Sequence, residues 1–158
     1  QAAPPALLAD LARVEAALSQ SDAQASGEGH PMIVIGRRDV RSNNSWMHNL
    51  PTLAKGPERC TAIVHPADAA RAGLAEGSHA RLASTAGTVA VVATLSDSVM
   101  PGIVCLPHGW GHDLPGARLR VAAERPGANL NALLPDADRD PLSGNAVLSG
   151  QPVTLAAG

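Results

Sequence analysis

The sequence contains no phenylalanine and no tyrosine, so its two tryptophans, Trp46 and Trp110, are its only large aromatic side chains. A hydrophobic core must therefore be built from Val, Leu, Ile and Ala. Both tryptophans lie in stretches rich in Gly, His and Asn, outside the periodic apolar segments. We expect both rings to line a ligand site, and a place in the core is the alternative.

No apolar run approaches the roughly 20 residues that a membrane-spanning helix needs, and no secretory signal is visible. The sequence thus predicts no membrane insertion. The formal net charge of −2 gives no general electrostatic reason to expect nucleic-acid binding. The chain begins with Gln1 rather than Met, and we expect it to be processed or to be a piece of a longer protein.

Cysteine is also scarce. Cys60 and Cys105 each fall inside an apolar run, and their wide spacing is not typical of a metal site. We expect two buried free thiols in a reducing compartment, which predicts a cytoplasmic protein, rather than a disulfide or a nucleophile.

Residues 1–29 are predicted to be an N-terminal helix and a linker. Four apolar residues recur at spacings of four, three and four and share one face of a helix over residues 4–20: Leu7, Leu11, Val14 and Leu18. We expect this face to dock either on the chain's own barrel or on a neighbouring domain. Small, polar and Gly-containing residues from 19 to 29 predict the linker.

Residues 30–158 are predicted to form one mostly-β domain. Short apolar runs predict strands at residues 32–35, 60–65, 79–84, 88–94, 103–106 and 153–155, and residues 118–124 predict a further strand or an extended arm. Short helices are expected at 66–72, from 42–44 through His48, and within 129–140, whereas 51–57 is expected to be loop. No repeated βαβ unit is present, so a small mixed barrel fits best.

The densest set of hydrogen-bond donors follows the first predicted strand. Residues 37–50 contain three arginines, three asparagines, two serines, one tryptophan and one histidine. Guanidinium groups, amides and helix-terminal N–H groups donate to phosphate oxygens and to the edges of heterocycles. This stretch therefore predicts a ligand of that chemistry, and a solvated polar loop is the alternative.

Seven short segments, in this order, resemble the C-terminal dinucleotide-binding domain of the molybdopterin oxidoreductases, the superfamily of dimethyl sulfoxide reductase and formate dehydrogenase. They are residues 36–38, 64–77, 84–89, 100–104, 107–111, 129–133 and 140–144. The resemblance implies a double-psi β-barrel, similar in fold to aspartate decarboxylase. It also implies a function: the domain holds part of a bis(molybdopterin guanine dinucleotide) cofactor.

The same resemblance assigns cofactor contacts to three segments. They are Arg38, Asn44, Ser45, Trp46, Met47 and His48 in the first; His108, Gly109, Trp110 and Gly111 in the second; and Asn129 and Asn131 in the third. It implies that molybdenum or tungsten is liganded outside this fragment, by upstream domains of the same polypeptide. We therefore expect no catalytic residue, no metal ligand and no turnover by this chain alone.

Other interpretations stay open at this point. The chain could be an independent barrel that binds another nucleotide-like ligand or packs against other subunits. The pair Gly77-Ser78 invites comparison with self-cleaving barrel decarboxylases. His108 and His112 are spaced for a metal pair on a helix, but the intervening glycines disfavour a helix there.

Four more residues carry structural expectations only. His65, which precedes Pro66, is expected to be a strand-end or capping residue rather than a catalyst. His30 and His79 are expected to be plain surface positions. Asp68 is expected to interact with the N-terminal dipole of a short helix and is assigned no function.

Overall fold

A computed structural model describes residues 3–19 and 28–158. Its helices are α1 (Pro5–Ser19), α2 (Pro51–Ala54), α3 (Pro66–Arg71) and α4 (Arg120–Ala123), with a 3₁₀ helix at Leu130–Leu133. Its strands are β1 (His30–Arg37), β2 (Thr61–Val64), β3 (His79–Ala83), β4 (Thr88–Leu95), β5 (Ile103–Pro107) and β6 (Gln151–Ala157). Residues 20–27, most of the predicted linker, lie outside the described part.

The six strands close into a barrel in the order β1-β5-β2-β4-β3-β6. Two neighbouring pairs are parallel, β1 with β5 and β2 with β4, and the other four pairs are antiparallel. This mixed, closed barrel confirms the predicted mostly-β double-psi architecture.

The barrel core is aliphatic, as the lack of Phe and Tyr requires. Its largest fully buried side chains include Leu82, Leu106, Leu133, Leu155 and Val34. Burial alternates along the first part of β4, which faces solvent on one side, while four consecutive residues of β5 are buried. Burying a Leu or Val side chain contributes about 1.5–3 kcal/mol, so these residues supply much of the stability of the barrel.

The parallel pairing of β1 with β5 decides where the polar loops lie. The register runs from Ile33 opposite Ile103 to Arg37 opposite Pro107. Both strands therefore end at the same edge of the barrel. The chain leaves β1 as the first loop, residues 38–50, and leaves β5 as the second loop, residues 108–113, and the two loops start side by side.

A buried carboxylate fixes α3 to the barrel. Asp68 is fully buried and accepts hydrogen bonds from Gly102 N (2.7 Å), from His30 Nε2 (3.0 Å) and from the guanidinium of Arg71. Burial alone would raise the pKa of Asp68, but the hydrogen bonds from Gly102, His30 and Arg71 lower it overall. The expectation that His30 is a plain surface residue is therefore wrong, because its ring is part of this network.

Three local predictions differ from the structure. Residues 118–124 contain α4 rather than a strand, because Asn49 Oδ1 accepts the N–H groups of Val121 (2.9 Å) and Ala122 (3.2 Å) at the start of that helix. The predicted loop at 51–57 contains α2. Residues 40–49 form consecutive turns instead of a helix ending at His48. His65 caps α3 as predicted, since its side chain accepts from Ala67 N.

The N-terminal helix forms as predicted, but within the described part of the chain its apolar face stays exposed. Leu7, Leu11 and Val14 are 48%, 54% and 38% exposed, so this face does not pack into the barrel core. Docking of the face on a neighbouring domain stays a prediction. Among the described residues, no helix is both long and apolar enough to span a bilayer.

Candidate functional site

The first and second loops touch through a glycine. Gly109 has φ +94°, and a Cβ at this position would overlap the carbonyl oxygen of Asn44 and lie 3.1 Å from Ser45 N. Only glycine adopts this conformation without strain and leaves space for the neighbouring backbone. The two loops are therefore in direct backbone contact.

The third predicted segment joins them through a second glycine. A Cβ at Gly111, which has φ +105°, would lie 2.5 Å from the Cβ of Asn129. Asn129 in turn begins the 3₁₀ helix, because its Oδ1 accepts the N–H of Asn131 at 3.1 Å. The structure thus brings together all three segments that the sequence resemblance assigns to cofactor binding.

Two depressions open where these segments meet, and we call them together the mouth. Arg38 borders both. The smaller has a volume of about 150 Å³ and is lined by Gly36, Arg38, His108, Leu130, Asn131, Leu148 and Ser149. The wider one has a volume of about 700 Å³ and is lined by Arg38, Asp39, Val40, Asn43, Asn44 and Met47. Five predicted contacts therefore line the mouth: Arg38, Asn44, Met47, His108 and Asn131.

Two of the three arginines near the first loop are used by the fold. Arg37 donates to three carbonyl oxygens, those of Cys105 (2.8 Å), Arg59 (3.0 Å) and Thr61 (2.8 Å). These bonds connect β1 to β5 and to the start of β2. Arg41 donates to the carbonyl of Thr52 at 3.1 Å. Arg38 is exposed, and its one partner among the described residues is Asn44 Oδ1. Most of its guanidinium donors therefore face the mouth unpaired.

The backbone of the first loop is strained beside Arg38. Asn43 and Asn44 have φ values of +44° and +64°. Asparagine tolerates this left-handed region better than most residues, but two in succession are uncommon. Strain of this kind persists where the surrounding structure holds it and is concentrated at functional sites.

The remaining polar groups of the mouth offer mixed hydrogen bonding. Asn131 is exposed, and its side-chain amide makes no hydrogen bond within the described residues. His108 is half-buried, and burial, followed by the positive charge of Arg38, lowers the pKa of its imidazole. A neutral imidazole has one donor and one acceptor, and an amide has both as well. The mouth can therefore match a ligand edge that alternates donors and acceptors.

The first and second loops also share a cluster of three rings. His48 is 6% exposed, and its Nδ1 lies 2.6 Å from Nε2 of His112. The ring of Trp110 lies against that of His48, with centroids 4.1 Å apart. Two buried atoms, His48 Nε2 and Trp110 Nε1, have no hydrogen-bond partner among the described residues. His48 and Trp110 line neither depression of the mouth.

The two tryptophans lie in different surroundings. Trp110 is half-buried and packs against the barrel core, whereas Trp46 is 82% exposed on the first loop. Neither lines a depression of the mouth. Ser45, next to Trp46, is also exposed.

The metal-pair interpretation finds no support. His112 is paired with His48 rather than with His108. The part of the chain that the structure describes contains no group of three or more His, Cys, Asp or Glu side chains placed to hold a metal ion. Cys60 and Cys105 are buried free thiols, as predicted, and burial raises the pKa of Cys60 to about 11.

Sequence reasoning missed two features of the site. Leu148 and Ser149 line the mouth from just before β6, and Ser149 Oγ lies 3.4 Å from Gly36 N. No local pattern marks these residues, because they reach the mouth only through closure of the barrel. The partnership of His112 with His48 was also missed, since the two residues are 64 positions apart.

Comparisons with known proteins agree with this geometry. Residues 32–150 match the family model of the molydopterin dinucleotide binding domain. The chain is 33% identical over 124 residues to the arsenate respiratory reductase molybdopterin-containing subunit of Chrysiogenes arsenatis; the match covers 73% of this chain and 14% of that protein. It is 32% identical over 93 residues to the dimethyl sulfoxide/trimethylamine N-oxide reductase of Cereibacter sphaeroides, over 56% of this chain and 11% of that protein.

A solved structure shows the same fold. Acetylene hydratase from Pelobacter acetylenicus superposes with a TM-score of 0.68 at 20% identity, over 94% of this chain and 20% of that one. The chain thus spans a small part of each of these relatives. Since the family model covers most of the chain and all three site segments, the chain belongs to the molydopterin dinucleotide binding domain family and is a cofactor-binding domain of the kind found in molybdenum oxidoreductases.

Proposed function

We propose that the mouth holds a molybdopterin guanine dinucleotide and orients it within a larger molybdenum-dependent oxidoreductase. The observation that carries this proposal is the convergence of three distant segments around Arg38, which borders both depressions and whose one partner among the described residues is Asn44. The donor-rich mouth fits a ligand that combines phosphates with heterocycle edges.

The residues that line the mouth suit the parts of such a cofactor. Arg38 supplies a planar guanidinium fork that matches the oxygens of a pyrophosphate. Asn44 and Asn131 supply amides, which pair with the alternating donors and acceptors of a pterin or guanine edge. His108 adds a neutral imidazole, and Met47 an apolar wall. When bound, the cofactor supplies the redox chemistry of its metal, and these residues bind and orient it.

The other predicted contact residues shape the mouth or lie on the loops that surround it. Gly109 and Gly111 allow the three segments to approach, and Asn129 caps the helix that presents Asn131. Ser45 and Trp46 stay predicted cofactor contacts, since both are exposed on the first loop and the ring of Trp46 can stack on a heterocycle. His48 of the first loop and Trp110 of the second pack ring against ring and so help to hold the two loops together.

The rest of the chemistry is assigned to other domains. The chain spans 14% of the arsenate respiratory reductase subunit that it matches. We propose that the protein ligand of the metal and the substrate pocket lie in further domains of the same polypeptide, upstream of this one, and that this chain alone does not turn over. The family match does not favour an independent barrel, and a cytoplasmic location stays a prediction of the sequence.

The identity of the nucleotide can be measured directly. Acid treatment of the purified full-length protein, followed by mass spectrometry of the released nucleotides, should yield guanosine monophosphate, and metal analysis of the same sample should find molybdenum. Release of a different nucleoside monophosphate would contradict the guanine form. Tungsten in place of molybdenum would change the metal but leave the binding site as proposed.

A further inference from the structure

His48 and His112 connect the first loop to the second by a short hydrogen bond. The distance from Nδ1 of His48 to Nε2 of His112 is 2.6 Å, and the two rings meet edge to face with centroids 4.8 Å apart. A bond between two imidazole nitrogens requires a hydrogen on one and a lone pair on the other. The bond therefore exists only when at least one of the two rings is neutral.

The surroundings keep both rings neutral near pH 7. Burial, and next the neighbouring charge of His112, lowers the pKa of His48, and burial lowers that of His112. The charged groups that face the pair are Asp39, Arg59 and Arg125 around His48 and Asp113 beside His112. Both arginines are engaged elsewhere, since they donate to backbone carbonyls around α2.

The position of His48 explains why a partner is needed. Its loop contains two residues with positive φ, so the turn conformation there is strained and persists because the surrounding structure holds it. Among these contacts, His112 supplies a directional side-chain bond to the buried ring of His48. His112 is itself held, because its N–H and that of Gly111 donate to the carbonyl of Pro126 (3.2 and 2.7 Å).

We propose that His112 is a positioning residue: by fixing the ring of His48 it holds the first loop closed against the second, in the arrangement that presents Arg38 and Asn44 to the mouth. This inference rests on the proposed cofactor-binding function. His112 lines neither depression, so its effect on the cofactor acts through His48.

A positioning role through this hydrogen bond depends on pH, whereas a role in packing alone does not. One added proton leaves the bond intact, because an imidazolium can donate to the neutral partner. A second proton leaves two N–H groups facing each other, and the bond is lost. Closure of the first loop should therefore fail in acid. Glutamine at position 112 has an amide that can replace Nε2 as acceptor and does not titrate.

The test is amide hydrogen exchange, followed by mass spectrometry, on the full-length protein. Peptides that cover residues 38–50 are compared in wild type, His112→Gln, His112→Leu and the control His79→Gln, across a pH series corrected for intrinsic exchange. At pH 8 the leucine variant should exchange about tenfold faster in this loop, as expected for a lost buried hydrogen bond. The glutamine variant and the control should match wild type.

The leucine substitution could unfold the whole domain. The pH series on wild type, His112→Gln and His79→Gln is therefore a sufficient test by itself. Protection of the loop should fail at a lower pH in His112→Gln than in wild type or His79→Gln. Identical pH profiles in all three proteins would overturn the proposal and leave the cofactor site as proposed. Faster exchange in His112→Leu with unchanged molybdenum content of the same full-length protein would also overturn the positioning role, whereas the proposed function is tested separately by the molybdenum content of Arg38→Ala and Asn131→Ala.

Discussion

Gly109 lies directly against the backbone carbonyl of Asn44, with no space between the second loop and the first for a side chain. This contact sets the separation of the two loops and therefore the shape of the mouth. It also explains why the second loop is rich in glycine: the loops must approach at backbone distance before Arg38 and His108 can face one depression.

Substituting this glycine should destabilise the chain more than its backbone angle alone explains. Gly116 is a matched control, because its φ of +89° is close to the +94° of Gly109 and a Cβ there would meet nothing within 4 Å. Gly116→Ala should cost about 1–2 kcal/mol from the left-handed conformation, and Gly109→Ala about 1–3 kcal/mol more from the overlap with Asn44. Urea unfolding measures both, and equal losses would show that the loops do not touch.

Substitutions of the neighbouring residues Arg37 and Arg38 should separate effects on folding from effects on cofactor binding. Arg38→Ala and Asn131→Ala should lower the molybdenum content of the full-length protein, with changes in unfolding free energy within about 0.5 kcal/mol, because both side chains are exposed. Arg37→Ala should cost at least about 2 kcal/mol, since it leaves three carbonyl oxygens without their donor. Unchanged molybdenum in both Arg38→Ala and Asn131→Ala would contradict the site assignment.

The buried carboxylate of Asp68 should make folding sensitive to acid. Its pKa is lowered in the folded state, so its contribution is present above the unfolded value of 3.8 and is lost as pH falls through the folded value. Asp68→Asn should reduce stability at pH 7 by about 1–3 kcal/mol, because one oxygen acceptor becomes a donor facing N–H groups. It should also flatten the acid limb of the stability curve, measured by thermal unfolding at several pH values. An unchanged acid limb would show that Asp68 is not the group responsible.

The thiol of Cys60 should react slowly in the folded chain. Burial raises its pKa to about 11, so about one thousandth of it is thiolate at pH 8. In a Cys105→Ala variant, labelling by a disulfide reagent at pH 8 should therefore be slow, and unfolding with guanidinium should make it rapid. Fast labelling without denaturant would place Cys60 at the surface, against the hydrogen bond that its sulfur accepts from Ala128 N.

Strands were predictable from sequence because apolar runs bounded by Gly and Pro depend on local residues alone. The errors occur where a distant residue decides. α4 exists because Asn49, 72 positions earlier, caps its N–H groups. The expected helix through His48 fails because Asn43 and Asn44 adopt the left-handed region, and residue type alone does not require that conformation.

The candidate site was predictable as a set of segments but not in the roles of single residues. Arg37 and Arg38 are adjacent in sequence; the first ties strand ends and the second faces the mouth. Successive side chains at a strand end point to opposite sides, so the two arginines are expected to differ in role. This alternation does not show which of the two faces the mouth. The bond between His48 and His112 depends on the parallel register of β1 and β5, which appears only in the fold.

A structure of the full-length protein with its cofactor bound tests the central claim most directly. We expect cofactor oxygen or nitrogen atoms at about 3 Å from the guanidinium of Arg38 and from the side-chain amide of Asn131, with the first and second loops in backbone contact at Gly109. A cofactor bound at the opposite end of the barrel, or one that does not approach Arg38 or Asn131, would contradict the account.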